Sequence, residues 1–81
     1  MGMKDRKILY VEDDLSLIEG LKYTLEKNGF AVDNARTVGE ARQFLRENPY
    51  DLLLLDVTLP DGTGFDICRE VRKTCAVPII F

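Results

Sequence analysis

The chain contains no histidine. That removes imidazole both as a metal ligand and as a general base. Only two cysteines are present, Cys68 and Cys75. They are too few for a disulfide framework and do not form a metal-binding spacing, so they read as reduced thiols of a cytosolic protein. No apolar segment is long enough to span a bilayer, and the N-terminus lacks the apolar region of a signal peptide. A cytoplasmic protein without a membrane partner is therefore expected. Basic charge is not in surplus either: 11 Lys and Arg stand against 14 Asp and Glu, a net charge of −3. That gives no general attraction to nucleic acid or to an anionic membrane. Internal repeats, low-complexity tracts and linkers are absent. What remains is 81 residues, 46% hydrophobic and 31% charged, the balance of one small globular domain.

The feature that stands out is acid placed at the ends of apolar runs. Ile8-Leu9-Tyr10-Val11 leads into Glu12-Asp13-Asp14, and Leu52-Leu53-Leu54-Leu55 leads into Asp56. Short apolar runs flanked by polar residues read as buried parallel strands. If both strands point the same way, their C-terminal ends meet on one sheet edge, where open α/β sheets place their sites. Carboxylates gathered there repel one another unless a cation or proton compensates. Oxygen ligands without histidine suit Mg²⁺.

Along the chain, Met1 to Lys7 is a short polar lead-in and Ile8 to Val11 a first strand. Leu15, Ile18, Leu21 and Leu25 recur at helical spacing. Asp14 and Ser16 both qualify as caps, the latter through the capping-box pattern Ser16-Leu17-Ile18-Glu19. Asn28-Gly29 stops this helix, and Phe30 to Asp33 alternates like a short strand. Thr37-Val38-Gly39-Glu40 opens a second helix, expected to bury Ala41, Phe44 and Leu45 and to end at Asn48-Pro49. Leu52 to Leu55 is a third strand, and residues 59–64 have turn chemistry. Phe65, Cys68, Val71 and Arg72, with Ile67 on the same flank, give a third helix. Val77 to Phe81 gives a fourth strand, with Pro78 near its start. The order β-α-β-α-β-α-β predicts a parallel sheet with right-handed crossovers.

Each acidic group also has a plainer explanation. Glu12, Asp13 and Asp14 can simply favour the N-terminus of the helix that follows. Asp56 can be a loop-initiating cap. Taken together, the two clusters favour a metal site. The loop 57–62 would wrap the same pocket, and the carbonyl of Thr58 can complete a hard-cation site. Pro60 and Gly62 are read as turn formers. Gly64 is read as the residue that lets the third helix start close to the strand.

The segments Ile8 to Asp14, Asp51 to Asp56, Leu59 to Asp66 and Val77 to Phe81 resemble the receiver domain of bacterial two-component response regulators, over essentially the whole chain. The resemblance implies a flavodoxin-like doubly wound parallel sheet, here incomplete, with strand order 2-1-3-4. It implies a phosphoacceptor signalling domain rather than an enzyme. Asp56 would take a phosphoryl group from a sensor histidine kinase. Asp13 and Asp56 would be side-chain ligands of Mg²⁺, Thr58 would add its backbone carbonyl, and Glu12 would act through water. The Thr58 side chain resembles a position that tunes phosphoryl lifetime, and Asp14 would be peripheral. Such chemistry rests on positioning and charge neutralisation, which Mg²⁺ supplies. Transcription regulation through a C-terminal DNA-binding domain is implied for the parent protein.

The departures from the family pattern are equally specific. A complete receiver has a hydroxyl residue after the fourth strand and a lysine at the end of the fifth, whereas this chain ends at Phe81. Residues 1–81 are therefore expected to be the N-terminal part of a receiver, without the fifth strand and the last two helices. Lys4, Lys7, Lys22, Lys27 and Lys73 are read as surface residues, not substitutes for the lysine. A haloacid-dehalogenase-type phosphatase also uses a strand-end Asp with Mg²⁺, but its Asp-x-Asp pattern fails at Thr58. A nucleotide-binding module fails because no Gly-rich loop follows the first strand. The remaining alternative is a fragment without phosphoryl chemistry that folds by self-association through its exposed fourth strand.

Overall fold

A computed structural model describes residues 6–81. The expected lead-in over residues 1–5, Lys4 included, lies outside the described residues. The elements run β1 (Lys7–Val11), α1 (Leu15–Lys27), β2 (Ala31–Ala35), α2 (Val38–Glu47), β3 (Leu52–Leu55), β4 (Thr58–Leu59), β5 (Gly62–Thr63), α3 (Gly64–Arg72) and β6 (Ile79–Ile80). The main sheet has four strands in the order β2-β1-β3-β6, all pairs parallel. This is the flavodoxin-like arrangement expected from the sequence. Central strands of a parallel sheet are covered on both faces, which is why β1 and β3 are nearly continuous apolar runs.

Register carries the acids to one edge. Ile8 pairs with Leu52 and Val11 with Leu55, so Glu12 and Asp56 leave their strands side by side. One sheet face carries Leu9, Val11, Leu53 and Leu55, packed with Val38, Ala41, Ile67 and Val71 of α2 and α3. The other carries Ile8, Tyr10 and Val32 against Ile18 of α1, with Leu52 and Leu54 only partly buried.

Several local expectations shift. The second strand spans Ala31–Ala35 rather than Phe30 to Asp33, because pairing with β1 starts at Lys7↔Ala31. Phe30 instead follows a helix stop in which Gly29 takes φ 94°. Gly29 N–H donates to Glu26 O (3.0 Å) and Phe30 N–H to Leu25 O (3.2 Å), the Schellman pattern. Asp14, not Ser16, caps α1, so the Ser16-to-Glu19 box is not used. Of the apolar stripe on α1, Ile18 is buried and Leu25 partly so, while Leu15 and Leu21 are exposed. One helix on that face covers less surface than two, so its stripe is only partly used. On α3 the inward residues are Ile67 and Val71, and Phe65 faces out. The turn-rich stretch after Asp56 is a small antiparallel hairpin, with Thr58 opposite Thr63 and Leu59 opposite Gly62. Lys7 is more than a solubilising residue: its Nζ donates to Asn48 Oδ1 (3.1 Å) and pairs with Asp33 (3.4 Å). Among the described residues no helix is long and apolar enough to cross a membrane.

Candidate functional site

Glu12 and Asp56 each sit one residue beyond a strand, and the ladder continues through them. Glu12 N–H donates to Ala35 O and Asp56 N–H to Val11 O, both at 2.9 Å. These bonds fix both backbones at the C-terminal edge of the sheet. Asn34 adds a brace that the sequence did not reveal: its Nδ2 donates to the carbonyl of Tyr10 (2.9 Å) and lies within 3.4 Å of that of Glu12. An Asn in a strand gives no sign of where its amide will point.

One carboxylate oxygen from each of Glu12, Asp13 and Asp56 lies within 4.8 Å of the others. Glu12 is buried, at 8% exposure, and Asp13 and Asp56 are partly so. Burial pushes the Glu12 carboxyl above its ordinary range; a hydrogen bond from Asp14 N–H (3.2 Å) opposes this, and the neighbouring Asp56 and Asp13 charges add to it. The Tyr10 phenol beneath is raised by burial, then by Glu12, Asp56 and Asp14. Three carboxylates with an oxygen each within 4.8 Å of the others, and no histidine among them, make a hard-oxygen donor set of the kind that accepts Mg²⁺. The residues therefore fit such an ion.

The other expected residues fall as follows. Asp14 turns away to cap α1, its Oδ1 accepting from Ser16 N–H (2.9 Å) and Leu17 N–H (3.4 Å). That agrees with a peripheral place for it. Thr58 begins β4, exposed, two residues beyond Asp56. Gly64 is where α3 comes closest to the site: a Cβ there would stand 2.2 Å from Asp56 O, so no side chain fits. Gly64 N–H also donates to Val57 O (2.9 Å), closing the loop behind Asp56. Thr63 and Asp66 form a reciprocal capping box at the start of α3. Its Thr-x-x-Asp signature is present in the sequence, hidden inside a stretch that reads as turn.

A family model for the response regulator receiver domain matches residues 8–81. The chain belongs to the response regulator receiver domain family. Solved receivers superpose on it closely. The non-phosphorylated HemR receiver domain from Leptospira biflexa is 44% identical with a TM-score of 0.84, over 91% of this chain and 60% of that one. A two-component response regulator from Clostridium difficile is 35% identical with a TM-score of 0.87, over 91% of this chain and 61% of that one. The response regulator TrrA from Thermotoga maritima, solved in complex with Mg²⁺-BeF, is 34% identical with a TM-score of 0.79, over 84% of this chain and 59% of that one. The receiver chain described here thus spans about three fifths of the length of these structures.

Proposed function

We propose that this receiver is a phosphoacceptor of two-component signalling, phosphorylated on Asp56 by a sensor histidine kinase. The observation that carries this reading is the convergence of Glu12, Asp13 and Asp56 oxygens within 4.8 Å at the strand ends. An Asp56 oxygen attacks the phosphorus of a phosphohistidine, the P–N bond breaks and an acyl phosphate forms. Asp13 and Asp56 would hold Mg²⁺ through their side chains, Thr58 through its carbonyl and Glu12 through water. The ion, when bound, neutralises charge on the transferring group. The ladder bond from Asp56 N–H to Val11 O fixes the backbone, and Val57 N–H donates to Asp56 Oδ1, both at 2.9 Å, so the acceptor carboxylate is pre-positioned. Thr58, exposed beside Asp56, sets how readily water reaches the acyl phosphate and hence its lifetime. The Mg²⁺-BeF complex of the similar TrrA supports this assignment. On family membership alone, we place the domain in a bacterial cytoplasmic regulator whose DNA-binding output lies elsewhere in a longer protein. Incubation with Mg²⁺ and a small acyl-phosphate donor, followed by intact mass measurement, tests it. Wild type gains one phosphoryl group and Asp56→Asn none. A folded wild type without an adduct sinks the reading.

A second reading is favoured by a separate observation. Strand β6 lies at one edge of the four-stranded sheet, and Ile80 and the following Phe81 are each 53% exposed. Unpaired edges invite strand addition, so we also propose self-association of this chain through β6. Sedimentation showing a monomer at all concentrations overturns it.

A further inference from the structure

The N-terminus of α2 is satisfied from two sources. Its own segment supplies part: Thr37 Oγ1 accepts from Glu40 N–H (3.0 Å), and Glu40 Oε1 from Arg36 N–H (2.7 Å). The N–H groups of Val38 and Gly39 are instead taken by one distant carboxylate, Asp61, at 2.7 and 3.1 Å. Asp61 sits at the turn of the β4–β5 hairpin, which begins two residues after Asp56. Nothing about α2 alone requires this. An ordinary N-cap residue serves from within its own chain segment; here the cap reaches across 22 and 23 residues.

The hairpin is otherwise held by its base and by apolar contact. Gly64 closes the base against Asp56 and Val57, and Leu59 is buried. Gly62 lies flush on Val38, where an added Cβ would meet Val38 Cγ2 at 3.1 Å. The polar tie of the turn to α2 is Asp61. The same helix end also reaches the other half of the site, because Arg36 Nη2 donates to Asp13 O (3.4 Å). The start of α2 thus touches the backbone after Asp56 on one side and the backbone at Asp13 on the other.

From this juxtaposition we propose that Asp61 is a positioning residue for the acidic site. By clamping the β4–β5 hairpin to α2, it holds the Thr58 carbonyl in register with Asp13 and Asp56. It touches neither the metal nor the phosphoryl group. The inference rests on the Mg²⁺ reading of the site given above. Groups that orient metal ligands without binding the ion commonly change affinity by about 10–100-fold when removed.

The test is Mg²⁺ titration by calorimetry on the whole chain, with folding followed by circular dichroism. Asp61→Ala is expected to weaken Mg²⁺ binding about tenfold. Asp61→Asn, which keeps an acceptor for Val38 N–H, falls between it and wild type. Thr37→Ala removes a cap from the same helix end without touching the hairpin and leaves the affinity unchanged. A simple loss of helix stability would not separate Asp61 from Thr37 in this way. Wild-type affinity in Asp61→Ala, or equal weakening in Thr37→Ala, overturns the proposal. If Asp61→Ala does not fold, wild-type affinity in Asp61→Asn overturns it instead. Asp13→Asn identifies failure of the underlying reading: if wild type binds no Mg²⁺, or binds it as well without Asp13, the metal site itself is wrong. If Asp13→Asn abolishes binding and Asp61→Ala does not change it, only the role of Asp61 falls.

Discussion

Two sets of carboxylates lie close together in this chain, and their surroundings are opposite. Asp61 and Asp66 each aim at backbone N–H groups at the start of a helix. Asp61 takes those of Val38 and Gly39, while Asp66 takes the N–H and hydroxyl of Thr63 (each 3.1 Å) and pairs with Arg69. Both are held below the ordinary carboxylate range, chiefly by those backbone bonds. Glu12 and Asp56 accept one backbone bond each, from Asp14 and Val57, and otherwise face acid. Glu12 is pushed up by burial first. Helix caps use negative charge that the fold has already compensated. The sheet edge collects negative charge that the fold leaves uncompensated, and that deficit is what gives a cation something to gain there.

The largest effect is expected where the two sets meet. Gly64→Ala drives a Cβ into the backbone oxygen of Asp56, which stands 2.2 Å from that position. Overpacking against backbone costs about 3 kcal/mol, and denaturant unfolding will show the loss. Mg²⁺ affinity should fall with it, because Asp56 has to move. A smaller effect is expected at a cap. Thr63→Ala breaks the capping box of α3 and costs about 1 kcal/mol, again read by denaturant unfolding, with the sheet edge intact.

The comparison turns on sign at the next step. Glu12→Gln removes a buried charge facing Asp56 and Asp13 but keeps an acceptor for Asp14 N–H. In metal-free buffer it should raise stability by about 1 kcal/mol or less. It should also shrink the rise in melting temperature that Mg²⁺ brings. A fall in metal-free stability would mean that the cluster is not repulsive, and the contrast would fail. The smallest effect is on pH dependence. Asp66 is depressed in the folded state, so its contribution is present above the ordinary carboxylate range. That contribution is lost as pH falls through the folded value. Melting curves of Asp66→Asn should therefore lie below wild type at neutral pH and converge with it in acid.

Much of this was legible from residues alone. Apolar runs of four ending in acid gave two parallel strands and the edge where Glu12, Asp13 and Asp56 gather, because the period and length of a buried strand are local properties. The stops at Asn28-Gly29 and Asn48-Pro49 were legible for the same reason. The fate of α1 was less so: Leu15 and Leu21 repeat at helical spacing yet stay exposed, since periodicity reports a stripe and not the width of what it packs on. Phe65 marks the third helix as expected, and its side chain stays outside the core. Its ring lies on Phe81 (centroids 4.9 Å apart) at the surface.

The sequence by itself determined the order of the helices and main-sheet strands, the parallel sheet and the acids at its edge, because each depends on residues that are neighbours in the chain. Only the tertiary structure decided that Asn34 braces Tyr10 and that Asp61 caps a helix it does not belong to. These are contacts between segments far apart in sequence. No local pattern encodes the partner, because the partner is chosen by how strands and helices stack once the core has closed.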